Sequence, residues 1–153
     1  MNKIVAAALL AITPVAAPTQ TLQPVLTYEN AARIRDGCLV FAKGKKLELA
    51  IAVHDEAGRL LTFARMDGAS TGVSDVAIWK SRSAATFRYS TAETAGWNAQ
   101  TFPGMSTAPG GVTFFTADGR ALGAIGVSGA QSEDDIACAE AGIRAAGLRA
   151  SRP

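Results

Sequence analysis

Few side chains in this sequence are equipped for chemistry. His54 is the only histidine among 153 residues, so a multi-histidine metal centre is excluded and a Ser/His/Asp triad would have to use it. It falls where a strand meets its turn. That position predicts a partly exposed turn histidine; an axial iron ligand or an acid–base group is the functional alternative. No G-x-S-x-G elbow, phosphate loop or dinucleotide fingerprint is present. Residues 68–72 (GASTG) do not join a strand to a helix in the required pattern, and 126–129 (GVSG) lacks the elbow's second spacing. Two cysteines, Cys38 and Cys138, complete the set. An even count suits a disulfide in an oxidising compartment, but both lie on apolar stripes, so two buried free thiols are the expected state.

The clearest of the elements that must position these groups is 109–129 (PGGVTFFTADGRALGAIGVSG), a β-hairpin. Its first strand is β-branched and aromatic, Ala117-Asp118-Gly119 supplies the turn, and 120–127 returns with small residues on both faces. Glycine weakens a strand unless something must come close to the backbone. Gly123 and Gly126 therefore predict a closely packed helix, with a ligand as the alternative. Upstream, Thr27 caps a first helix over 28–43, and strands 47–54 and 59–66 flank a turn at 55–58. A second helix starts near Ser74 and reaches Arg88. Thr91 caps a short third helix that holds Trp97 and Phe102 and breaks at Pro103-Gly104. Ser132 caps the last helix, with Glu133, Asp134 and Asp135 favourable in its first turn, and the helix runs to Gly147. The order α-ββ-αα-ββ-α predicts an α+β fold: an antiparallel sheet of four to five strands with helices packed on it.

Residues 1–17 carry a basic head, an apolar run over 4–12 and small residues before Ala17, the pattern of a secretory signal. The apolar run is too short for a membrane anchor, which needs about 20 residues. Residues 18–26 read as a flexible lead-in and 27–153 as one domain, with a periplasmic or extracellular destination. Hydrophobic residues at 48% and charged residues at 18% argue against disorder. The net charge of +2, with no basic run beyond 43–46, gives no footprint for nucleic acid.

Five separated motifs carry a family resemblance: 51–67 (IAVHDEAGRLLTFARMD), 76–85 (VAIWKSRSAA), Pro109 to Val112, 123–129 (GAIGVSG) and Asp134-Asp135. Over 26–148 the chain resembles the GlcG/HbpS family of haem-binding and haem-degrading-like proteins. The resemblance implies a profilin-like fold, assembly as dimers or larger oligomers, and kinship with extracellular haem binders and with domains fused to corrinoid adenosyltransferases. Carried over by motif, the implied ligand-binding residues are Arg65, Met66 and Asp67, Lys80, Pro109, Gly110 and Gly111, and Gly126, Ser128 and Gly129. Ser81 and Ser83 stand where the family usually has Ala and Thr, Thr113 replaces a frequent Pro, and the His54 position is ordinarily apolar.

Two functions follow from that resemblance. The first is a secreted small-ligand binder, for haem or a related tetrapyrrole, with Lys80 or Arg65 on propionates and iron held weakly by His54, Met66, Met105 or a hydroxyl. The second is an enzyme on a small carboxylate or hydroxy acid clamped by Arg65 and Lys80, with Asp67 as base. Antiparallel pairing would bring Arg65, Asp67 and the glycine motifs together, with Lys80 facing a ligand or, structurally, solvent. Trp79, Trp97 and Phe102 exceed what so small a core needs, which predicts a homodimer or higher homo-oligomer.

Overall fold

The computed structural model describes residues 22–99 and 101–152; the expected export signal and the first part of the lead-in lie outside them. Helix α1 (Tyr28–Lys45) begins at Thr27, whose hydroxyl accepts from the Asn30 N–H at 3.3 Å, and ends where Lys46 turns left-handed. Then follow β1 (Ala50–Asp55), β2 (Leu60–Arg65), α2 (Thr71–Phe87), α3 (Thr91–Ala95), β3 (Gly111–Phe115), β4 (Ala121–Ser128) and α4 (Ser132–Ala145). The four strands form one antiparallel sheet in the order β2-β1-β4-β3. The α+β architecture is the expected one. No described helix is long and apolar enough to cross a membrane.

Three helices differ from expectation: α4 is preceded by Gln131 at its N-cap, so Ser132 is its first residue, and it ends at Ala145 and not at Gly147. α2 starts at Thr71, one turn before Ser74, with Ser70 at its N-cap. α3 holds neither Trp97 nor Phe102: Ser90 and Glu93 form a reciprocal capping box that fixes its start, and Gly96 caps it after five residues.

Strand alternation sends large side chains to one face and small ones to the other. Ile51, Val53, Phe114, Ile125 and Val127 pack against Ile34, Cys38 and Ile143 of α1 and α4. These two helices close on each other at glycine. A Cβ on Gly37 would lie 3.0 Å from the Gly142 Cα, and one on Gly142 would overlap the Ile34 carbonyl. The approach brings the Cys38 and Cys138 Cα atoms to 4.7 Å, and the two are disulfide-bonded. The expectation of two free thiols is thus corrected. An apolar stripe and a disulfide are compatible because the bonded sulfurs are themselves apolar.

The other face is built from Ala50, Ala52, Ala124 and Gly126, and α2 lies almost on the backbone there. A Cβ at Gly126 would overlap the Ala77 carbonyl and the Ser81 N–H, and one at Gly111 would sit 2.6 Å from the Lys80 carbonyl. Gly126 and Gly111 therefore admit a helix. Thr113 adds a hydroxyl bond to the Ala84 carbonyl at 2.9 Å. α2 covers β1, β4 and β3 but only grazes β2, which leaves Leu60 and Phe63 exposed.

Candidate functional site

The register places the end of β2, the start of β3 and the end of β4 at one end of the sheet, so Arg65, Met66, Asp67, Pro109, Gly110, Gly111, Ser128 and Gly129 lie along that end, with β2 and β3 on its opposite edges. They do not form the expected clamp. Lys80 is 4% exposed, and its Nζ donates to the Val127 carbonyl at 2.9 Å and to Asp135 Oδ2 at 3.0 Å. Asp135 is equally buried and its Oδ1 accepts from the Ala130 N–H at 3.2 Å. Burial pushes the Asp135 carboxyl above its usual range, against the pull of the Lys80 charge. Lys80 is buried and paired with Asp135, which corrects the reading of it as a solvated lysine. Its stem passes the bare backbone of Gly110 (φ +121°), where a Cβ would come within 2.8 Å of Nζ.

The other members of the group are dispersed in what they touch. Arg65 Nη1 donates to the Ala69 carbonyl at 2.6 Å and so locks the β2–α2 loop. Asp67 is exposed, with no ion pair among the described residues, and Met66 packs half-buried on the α1/α4 side of the sheet. Ser128 is buried, and Gly129 (φ +137°) turns the chain against the Glu48 carbonyl.

His54 lies towards the opposite end of the sheet and is 3% exposed, not a turn residue. β1 extends past it because Asp55 still pairs with Gly123, while the Asp55 carboxylate accepts the Ala57 and Arg59 N–H groups of the turn. His54 Nδ1 is 2.7 Å from Ser81 Oγ. The Ser81 hydroxyl also lies 3.0 Å from the Ile78 carbonyl, which can accept its proton. Burial, helped by the Arg82 guanidinium and resisted by the Asp55 carboxylate, lowers the His54 pKa to about 4, so the ring is neutral at pH 7. Met66 and His54 stand at opposite ends of the sheet and do not share an ion, and Met105 is buried in the segment after α3. No group of three or more His, Cys, Asp or Glu among the described residues could hold a metal.

Sequence reasoning missed a different convergence. β3 pairs with the C-terminal tail through Phe115 and Arg149, each N–H donating to the other's carbonyl at 2.8 and 3.0 Å. The tail is thereby laid beside the end of α2, and the Arg152 guanidinium sits 5.9 Å from the Tyr89 ring centroid and 5.7 Å from that of Phe115. Two adjoining clefts of about 620 and 360 Å³ share Arg88, Phe115 and Arg152, and the larger is also lined by Arg120. Arg88 occupies the left-handed position (φ 61°) after α2, where glycine is the usual residue. Arg88 pairs with Glu56 at 3.5 Å and Arg120 with Asp118 at 3.6 Å, both in solvent and so weak. Three guanidinium groups beside two aromatic rings suit a flat ligand that carries carboxylates. No motif could have revealed them, since the residues come from a helix end, a hairpin and a tail.

A disulfide-stapled helix pair on one face of a four-strand antiparallel sheet, with a single helix pressed on the other, defines a small α+β scaffold as the class. A family model described as haem degrading protein HbpS-like matches residues 26–144, and the chain belongs to the HbpS-like family. Among solved structures, a double mutant of Streptomyces reticuli HbpS is 32% identical, with 88% of this chain and 97% of that one covered and a TM-score of 0.75. The PduOC haem complex shares 20% identity over 84% of this chain and 100% of that one, at a TM-score of 0.76. The Klebsiella pneumoniae protein ORFY shares 21% over 86% and 98%, also at 0.76. The last two likenesses are of fold alone. No curated protein sequence matches.

Proposed function

We propose that this chain is an exported binder of haem or a related tetrapyrrole, and that the Arg88, Arg120 and Arg152 cleft receives the ligand's carboxylates. The HbpS-like match over 26–144 carries the reading. The cleft supports it in kind: its volume lies within the usual range of small-molecule sites, Tyr89 and Phe115 offer aromatic surface, and the guanidinium groups match propionates. The Cys38–Cys138 bond favours an oxidising compartment, as does the signal pattern of 1–17. Neither His54, Met66 nor Met105 lines this cleft, so the residues fit the acidic macrocycle and supply no histidine or methionine to iron. The alternative enzyme loses its support, because Lys80 is sealed against Asp135 and Arg65 is held by the Ala69 carbonyl.

Haemin titration followed at the Soret band tests the site. Binding is expected, with metal-free protoporphyrin IX binding comparably, and Arg88→Ala with Arg152→Ala should weaken it about tenfold or more, a charged hydrogen bond being worth roughly 1.5–3 kcal/mol. Arg65→Ala should change nothing. Unaltered haemin affinity in the double variant removes the cleft, and no binding of either porphyrin removes the function. Intact mass of protein from its native host should lack about the first 17–20 residues.

A further inference from the structure

The segment ahead of α1 forms part of the wall of the arginine cleft. Gln23 and Pro24 line the larger cavity, and Arg120 Nη1 donates to the Gln23 carboxamide oxygen across 97 positions of sequence. Leu26, 8% exposed, is where this segment enters the core, and Thr27 caps α1 directly after it. Ahead of that anchor little else holds the chain. Leu22 is 98% and Val25 73% exposed, so neither gains from burial. Among the described residues, 22–25 make no ion pair, no backbone hydrogen bond and no side-chain hydrogen bond besides that of Gln23.

That one bond sits where a ligand carboxylate would. Arg88 faces Glu56, and Arg152 donates to the Arg88 carbonyl at 3.4 Å. Arg120 has Asp118 on its Nε side at 3.6 Å and gives Nη1 to Gln23. A carboxamide is a neutral acceptor, whereas a carboxylate on the same guanidinium adds a second charge to the hydrogen bond and strengthens it. A propionate therefore outcompetes Gln23 for Arg120. Losing the bond frees the segment, because nothing else ties it down before Leu26, and the recovered backbone freedom offsets part of the loss. We propose that residues 22–25 are a strap fastened to the cleft by Gln23, and that a carboxylate ligand unfastens it by taking Arg120. The ligand's identity rests on the tetrapyrrole reading; the strap itself requires only an anionic group in the cleft. Such coupling is reciprocal: a firmer fastening weakens the ligand, and a bound ligand leaves the N-terminal segment open to proteolysis.

Two readouts on protein purified from its native host test the strap. Protoporphyrin IX affinity, followed by fluorescence, is the first. Gln23→Ala removes the competitor and should tighten binding about three- to tenfold, the worth of one hydrogen bond, whereas Gln23→Glu fastens the strap with a charge and should weaken binding by about as much. In an Arg120→Ala background the gain from Gln23→Ala should vanish. Heteronuclear NOE values at the Gln23 and Val25 amides are the second readout: ordered in the ligand-free parent, and mobile on the ps–ns timescale both in Arg120→Ala and in the parent saturated with protoporphyrin IX. Mellitate, a flat polycarboxylate that is not a tetrapyrrole, should mobilise the same amides. If no porphyrin binds while mellitate frees Gln23, the tetrapyrrole reading falls and the strap stands. Gln23 that stays ordered beside bound porphyrin, or under mellitate where no porphyrin binds, overturns the proposal, as does an unchanged affinity in Gln23→Ala.

Discussion

The two faces of the sheet are held by different physics. On the α1/α4 face, Phe114, Ile34, Ile51, Ile125 and Ile143 are fully buried, each large aliphatic contributing about 1.5–3 kcal/mol by removal from water, and a disulfide joins the two helices. On the α2 face the sheet offers alanine and glycine, which bury little area but let the helix approach to van der Waals contact with the strands. That close layer also encloses polar groups: His54, Ser81, Lys80 and Thr113 are all buried, and no described buried side-chain N or O lacks a hydrogen-bond partner. A face of large side chains gains stability from area. A face of small ones depends on satisfying every polar atom it traps.

The contrast is sharpest where a cross-link or a charge is removed. Cys38→Ala with Cys138→Ala opens a loop spanning 100 positions and should cost about 4–5 kcal/mol in urea unfolding, the loop-entropy expectation for that length. A loss below roughly 1 kcal/mol would mean that the α1/α4 packing stands without its staple. Slightly smaller is the effect expected on the other face. Lys80→Met leaves Asp135 buried without its cation and should cost about 3–5 kcal/mol, while Lys80→Met with Asp135→Leu should recover most of that. Equal losses in the single and double variants would show that the lysine matters as filler and not as a charge.

Smaller again is a pH effect at His54. Its folded pKa of about 4 lies below the ordinary 6.5, so between those values the unfolded chain holds the extra proton. The neutral buried ring therefore contributes stability above pH 6.5 that is lost as pH falls towards 4, about 3 kcal/mol in all for a shift of this size. Comparing the parent with His54→Phe isolates this loss from that of other titrating groups. Unfolding free energies that fall in parallel for the two proteins from pH 7 to pH 4.5 would deny the role.

The element order was legible because each signal is local: the Thr27 cap, the Ala117-Asp118-Gly119 turn, the strand alternation and the acidic first turn of α4 all act within a few residues. Close helix packing at Gly126 was legible too, since a glycine inside a strand has few other uses. The sequence alone also carried the five motifs that set the chain in the HbpS-like family. What it could not determine depends on distance along the chain. Lys80 and Asp135 are 55 positions apart, and only the passage past Gly110 joins them across the sheet edge, which turned an expected ligand group into a structural one. His54 reads as a turn residue until α2 is laid over it. Arg152 joins Arg88 and Arg120 only because the tail pairs with Phe115, a contact whose free energy depends on the folded sheet already being there.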